Sequence, residues 1–218
     1  MASPSPISEP KLTELPGTGR IEAFSDGVIA IVITLMVLEI KLPELPEGVT
    51  DAQALLALAP VLPKLLAYAL SFVMVGIFWV NHHQFFHALA KADAPLLWWN
   101  NLFLFWLCLI PFPTAFVGEH PGLKTAAASF ALVMLLGAGS FYAMRRHAFG
   151  AAALYLPGLR AADMRRSVRR SAVGPVVYAL ALALVWVSVY AAFALFVLVP
   201  LWFFFPFLVP FSKQNQDT

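Results

Sequence analysis

The chain has a single cysteine, Cys108, so no disulfide can form within it. In its apolar run that residue reads as a small core side chain. Charge is also scarce. Only 12% of the 218 residues are charged, against about 25% in soluble domains, while 61% are hydrophobic. A surface built from so few charges suits lipid better than water, and the composition alone places the chain among membrane proteins. The first nineteen residues hold no apolar run, which argues against a signal peptide and predicts a disordered tail over 1–19, with the first helix acting as the insertion signal. No Gly-rich phosphate loop, serine-nucleophile motif or pair of catalytic carboxylates is present, so no enzymatic activity is expected. Residues 172–211 carry no charge at all. Forty such positions are too many for one span and suit two, with a turn near Ser188-Val-Tyr190.

Against this background, residues 20–41 stand out. Ile21 to Ile40 would make a helix about 30 Å long, the thickness of a bilayer's hydrocarbon core. Glu22, Asp26 and Glu39 nevertheless lie within it. Charge inside a membrane helix is expensive and points to function or to a buried partner. At 100° per residue, with Ile31 as origin, Leu35, Leu38, Phe24 and Gly27 fall within about 40° and Thr34 at about −60°. Glu22 and Asp26 fall on the opposite side. One face is an apolar stripe with one hydroxyl; the other bears carboxylates that need donors.

The pattern Arg20-x-x-x-Phe24-Ser25-Asp26-Gly27, followed by Ala30-Ile31-x-x-Thr34-Leu35, resembles the first-helix signature of the transmembrane protein 175 family of potassium channels. Trp79-x-x-His82 and Asn101-Leu102 match that family's patterns on the second and third helices. The resemblance covers helices 1 to 3 well, and helices 4 to 6 only in number and hydrophobicity. It implies an all-α membrane protein with six transmembrane helices per subunit, in which helix 1 of each of four copies lines a central pore. Ile31, Leu35 and Leu38 would then form an apolar constriction that gates by dewetting, and Thr34 would offer its hydroxyl to a partly dehydrated cation. No Thr-Val-Gly-Tyr-Gly segment exists, so selectivity by a ring of backbone carbonyls is unsupported. The implied function is passive, potassium-preferring conduction by a homotetramer, with potassium as permeant and no cofactor. The resemblance also turns Arg20, Phe24, Ser25, Asp26, His82 and Asn101 into a structural network, with Asp26 a brace behind the stripe and His82 and Asn101 its available donors.

The remaining chain fits one domain over 20–211. Helix 1 stops in Lys41-Leu-Pro-Glu-Leu-Pro-Glu-Gly48, and a short interfacial helix follows over 52–60. Helix 2 covers about 62–90 and turns polar and aromatic at Trp79-Val-Asn-His82-His83. Helix 3 covers about 96–116, with a kink or end at Pro111-Phe-Pro113. Helix 4 covers about 124–144 and carries the small-residue patch 137–140, suited to close packing. An Arg-rich loop over 145–171 holds seven of the eight arginines and one acid, Asp163. The positive-inside rule assigns it to the cytoplasm of a cell-membrane protein and, with six spans, both termini as well. Residues 212–218 form a polar tail.

Three further readings follow. His83 and His87 share a face, but no third ligand stands near them in the sequence, so neither a metal nor a haem is expected. Arg160, Arg165, Arg166, Arg169 and Arg170 suit anionic lipid or simply fix topology; a loop of about 25 residues does not suit nucleic acid. The rivals to a channel are a proton-coupled transporter using Asp26 and the helix-2 histidines, and a membrane scaffold without flux.

Overall fold

The computed structural model describes residues 15–208, with side chains described as far as Leu201. Most of the expected tails, 1–14 and 212–218, lie outside the described residues. The fold is all-helical. In order the helices are α1 (Gly19–Leu38), α2 (Asp51–Ala57), α3 (Val61–Phe86), α4 (Ala94–Leu109), α5 (Pro111–Glu119), α6 (Lys124–Gly150), α7 (Ala161–Ser171), α8 (Val173–Leu184) and α9 (Val189–Leu208).

Local chemistry sets the boundaries. α2 starts with a capping box in which Thr50 and Gln53 satisfy each other's backbone N–H. Asp93 caps α4 by accepting from Leu96 N at 2.9 Å, with Pro95 in the first turn. Pro111 lacks an N–H and splits the third apolar run into α4 and α5. Thr114 donates its hydroxyl to the Ile110 carbonyl at 2.8 Å, which its own backbone N–H also bonds at 3.1 Å, and Ser71 of α3 bonds Thr114 at 2.8 Å. Ser188 accepts from Ala191 N at 3.3 Å and opens α9, which places the turn of the uncharged stretch at residues 185–188.

Among the described residues, four helical stretches are long and apolar enough to cross a membrane: Gly19–Leu38, Val61–Phe86, Ala94–Glu119 (α4 with α5) and Lys124–Gly150. α8 and α9 divide the uncharged stretch as expected. With 12 residues, however, α8 reaches only about 18 Å and falls short of a full span. The helices enclose a core centred on Met74, Phe86, Phe103, Leu107, Met134 and Phe196, all at 1% exposure or less. The small-residue patch on α6 works as its composition suggests. A Cβ at Gly137 would sit 3.6 Å from Trp106 Cβ of α4, and Ala138 lies against Gly174 of α8.

Two rims close the bundle. At one, Ala90 N bonds Leu154 O at 2.8 Å, Ala92 N bonds Pro16 O at 3.0 Å, and His147 pairs with Asp93 at 2.8 Å. The residues before α1, the α3–α4 turn and the segment after α6 therefore share one end. At the other, Lys64 pairs with Glu119 at 3.3 Å, and Lys124 donates to Trp186 O at 2.8 Å.

Two expectations need correction. The Arg-rich segment is not a loop from 145 onward: α6 continues to Gly150, and Arg145 is buried inside the bundle. Cys108 is not a core residue but an exposed one on α4. In a run as apolar as Trp106 to Ile110, sequence does not distinguish a lipid-facing position from a buried one.

Candidate functional site

α1 buries one narrow face. Ile21, Ser25, Ile29, Val32 and Met36 are its buried residues. They cluster at about 80–160° on the wheel, against α3 and α4. The predicted stripe lies outside that face. Phe24, Ile31, Leu35 and Leu38 are 58%, 57%, 48% and 69% exposed, and Thr34 is exposed among them. Among the described residues, one subunit thus leaves a continuous apolar ridge along α1 without a partner. Ile33, about 200° from Ile31, is half-buried and packs on the core.

The Thr34 hydroxyl lies 3.0 Å from both the Ala30 and the Ile31 carbonyl oxygens and donates within its own helix. A hydroxyl has one hydrogen and two lone pairs. With the hydrogen committed to the backbone, the lone pairs are left to face outward, as a cation ligand requires.

Behind the stripe runs a buried polar chain. Asn100 of α4 donates to Ser25 Oγ at 3.0 Å, and its carbonyl oxygen lies 2.9 Å from His82 Nε2 of α3. All three residues are at most 1% exposed. The His82 ring stacks on Phe103, at 5.8 Å between centroids and 11° between planes. For Asn100 to accept, His82 carries its proton on Nε2. Three helices are thereby pinned at one level by groups that have no water to fall back on.

The network differs from the expected one in three respects. Asn101 is exposed and takes no part in it; its neighbour Asn100 makes both bonds. Asp26 is bonded neither to His82 nor to an asparagine: it is exposed and accepts from Trp79 Nε1 at 2.9 Å. Arg20 is exposed too, and no Arg20–Asp26 ion pair occurs among the described residues. The Trp79-x-x-His82 spacing acquires a physical meaning here. The two side chains diverge from α3 by about 60°, so one holds Asp26 from outside while the other reaches Asn100 inside.

Sequence reasoning missed two other arrangements. Arg145 donates to Asn81 O at 3.2 Å and to Ser167 O at 3.4 Å. Its guanidinium lies over Phe85 and Phe141, 5.3 and 4.9 Å from the ring centroids. Nearby, burial pushes the Tyr155 phenol up from its ordinary pKa, opposed by the Arg145 charge. The second is at the same end, where Glu22 comes against His83 and His87, with all ligand atoms within 4.8 Å of one another. The acid absent from the sequence around the histidines is thus supplied by α1. α7 presents Arg165, Arg166, Arg169 and Arg170 around an open recess of about 720 Å³ that also touches Ala161, Ala162 and Val173.

Residues 20–111 match the family described as the endosomal/lysosomal potassium channel TMEM175. A protein of Chamaesiphon minutus named a potassium channel is 40% identical over 187 residues, covering 82% of this chain and 91% of its own length. The crystal structure of a lysosomal potassium-selective channel TMEM175 homolog from Chamaesiphon minutus superposes with a TM-score of 0.75 at 35% identity, covering 85% of this chain and 95% of that one. A human protein named an endosomal/lysosomal proton channel is 37% identical over 118 residues, covering 51% of this chain and 21% of its own.

Proposed function

This chain belongs to the TMEM175 family, and from that premise we propose that it is a potassium-preferring cation channel assembled as a homotetramer around α1. The observation that carries the reading is the unpartnered ridge of Ile31, Leu35 and Leu38, with the Thr34 hydroxyl set among its apolar side chains. A single subunit cannot enclose a path with one lining helix; four copies of the ridge turned to a common axis can. The ring at Ile31 would be apolar and dry, so a hydrated cation crosses it only by losing water against a surface that offers no ligand. Thr34, one turn away, supplies outward lone pairs where the cation is least hydrated. The Ser25–Asn100–His82 chain gives α1 a fixed rotation, without which the ridge would not face one axis.

In this reading the protein lies in the cell membrane with both ends of the six-helix unit in the cytoplasm. The support is the run of arginines at the end of the bundle that also holds Pro16 and Ala92. The α7 recess suits anionic lipid headgroups, since four guanidiniums surround it at the membrane surface. A cysteine replacing Ala161 is expected to react with an impermeant thiol reagent only from the cytoplasmic side, read in intact cells against permeabilised ones with Cys108 replaced by serine. Reaction in intact cells would invert the arrangement.

The channel reading is tested by reversal potentials in reconstituted liposomes. A channel of this kind gives a potential that follows the potassium gradient and ignores an imposed pH difference. A potential that follows the pH difference would instead favour proton coupling through Asp26 and the α3 histidines. That rival is supported by the exposed position of Asp26 and the apposition of Glu22 to His83 and His87.

A further inference from the structure

We propose that Glu22, His83 and His87 form a binding site for a transition-metal dication, with Zn2+ the ion that best fits the donors, tying the first turn of α1 to the end of α3. The three residues come from two helices separated by some sixty positions of sequence, yet their ligand atoms all lie within 4.8 Å of one another. Among the described residues, none of the three side chains makes another hydrogen bond or ion pair. Asp26, one turn along from Glu22, is already engaged, held by Trp79 at 2.9 Å. Among the described residues the cluster therefore keeps three free ligand groups beside a carboxylate that is already bonded.

The donor set selects the ion. Two imidazoles and one carboxylate suit zinc and its neighbours, whereas magnesium and calcium take oxygen ligands and would gain little from the histidines. Bonds of 2.0–2.2 Å in a tetrahedral site put ligand atoms about 3.4 Å apart. The cluster needs at most about 1.4 Å of closure from its 4.8 Å spread, and exposed His83 and His87 have the rotamer freedom to supply it. His83 is already steadied by stacking on Trp79, with 5.8 Å between centroids and 20° between planes. Its ring lies 5.1 Å from that of His87, one helical turn on. Three protein ligands leave a fourth position for water, the pattern of an open, reversible site. A bound ion would cross-link α1 to α3 at the end of α1 opposite the ridge's far residue, Leu38.

The site does not rest on the channel reading, and its test uses no flux. The full-length protein, purified in detergent and stripped with chelator, is titrated with Zn2+ alone by calorimetry, with Mg2+ as the control. One Zn2+ per chain is expected, with no heat from Mg2+. Glu22→Gln, which keeps the shape, and His87→Ala are each expected to weaken binding at least tenfold. Zn2+ should also raise the melting temperature of the parent but not that of the His83→Ala/His87→Ala double variant, while the apo proteins melt together because both histidines are exposed. Zn2+ binding to the double variant as tight as to the parent, or no binding to the parent, overturns the proposal.

Discussion

Ile31→Asn is expected to raise potassium conductance at least tenfold, equivalent to about 1.4 kcal/mol off the barrier. Asparagine has as many side-chain heavy atoms as isoleucine but is smaller and brings an amide. Four amides at one level let water persist where four sec-butyl groups expel it, and they offer oxygens to a cation shedding its shell. Ile31 is 57% exposed in the subunit, so the substitution costs the fold little. The same change two residues on should act oppositely. Ile33 is half-buried against the core, and Ile33→Asn places an amide among apolar neighbours at a cost of about 1–3 kcal/mol, with no gain in flux. Thr34→Val keeps the shape and deletes the outward lone pairs. It should lower the preference for potassium over sodium and leave assembly intact. Conductance and reversal potential of the three variants in planar bilayers decide the matter. Higher flux from Ile33→Asn than from Ile31→Asn would mean that α1 presents its other face to the path.

Asn100→Leu should be among the most damaging single changes in the bundle. It leaves no cavity, because leucine has the same branching and a larger volume, but it deprives Ser25 and His82 of partners at positions at most 1% exposed. A membrane hydrogen bond by itself is worth little, about 0.6 kcal/mol on average. The orphaned groups decide the outcome, at about 1–3 kcal/mol each. A loss on the order of 2–5 kcal/mol is expected, seen as a lower melting temperature and loss of the oligomer on size exclusion. Asn101→Leu, on the exposed side of the same helix, should stay within about 0.5 kcal/mol of the parent subunit. Equal effects of the two would remove the case for the buried chain as the element that fixes the rotation of α1.

The contrast between Asn100 and Asn101 marks where sequence reading stops. The composition determined a membrane protein, since so few charges cannot cover a water-facing surface. Proline and the capping residues determined several helix starts, among them those of α2, α4 and α5, because a missing N–H or a side-chain acceptor acts within one turn. The wheel of α1 separated Ile31, Leu35 and Leu38 from Glu22 and Asp26, because helical periodicity is local geometry. Which of two adjacent asparagines faces inward depends on how α4 is rotated against α1 and α3, and that rotation is set by packing across the bundle. Asp26 taking Trp79 rather than Arg20, Arg145 lying between two phenylalanines, and Glu22 completing a cluster with His83 and His87 are contacts between helices far apart in the chain. Their spacing within any one helix carries no trace of the partner. The tertiary structure alone decided them, because each depends on the relative depth and rotation of two helices.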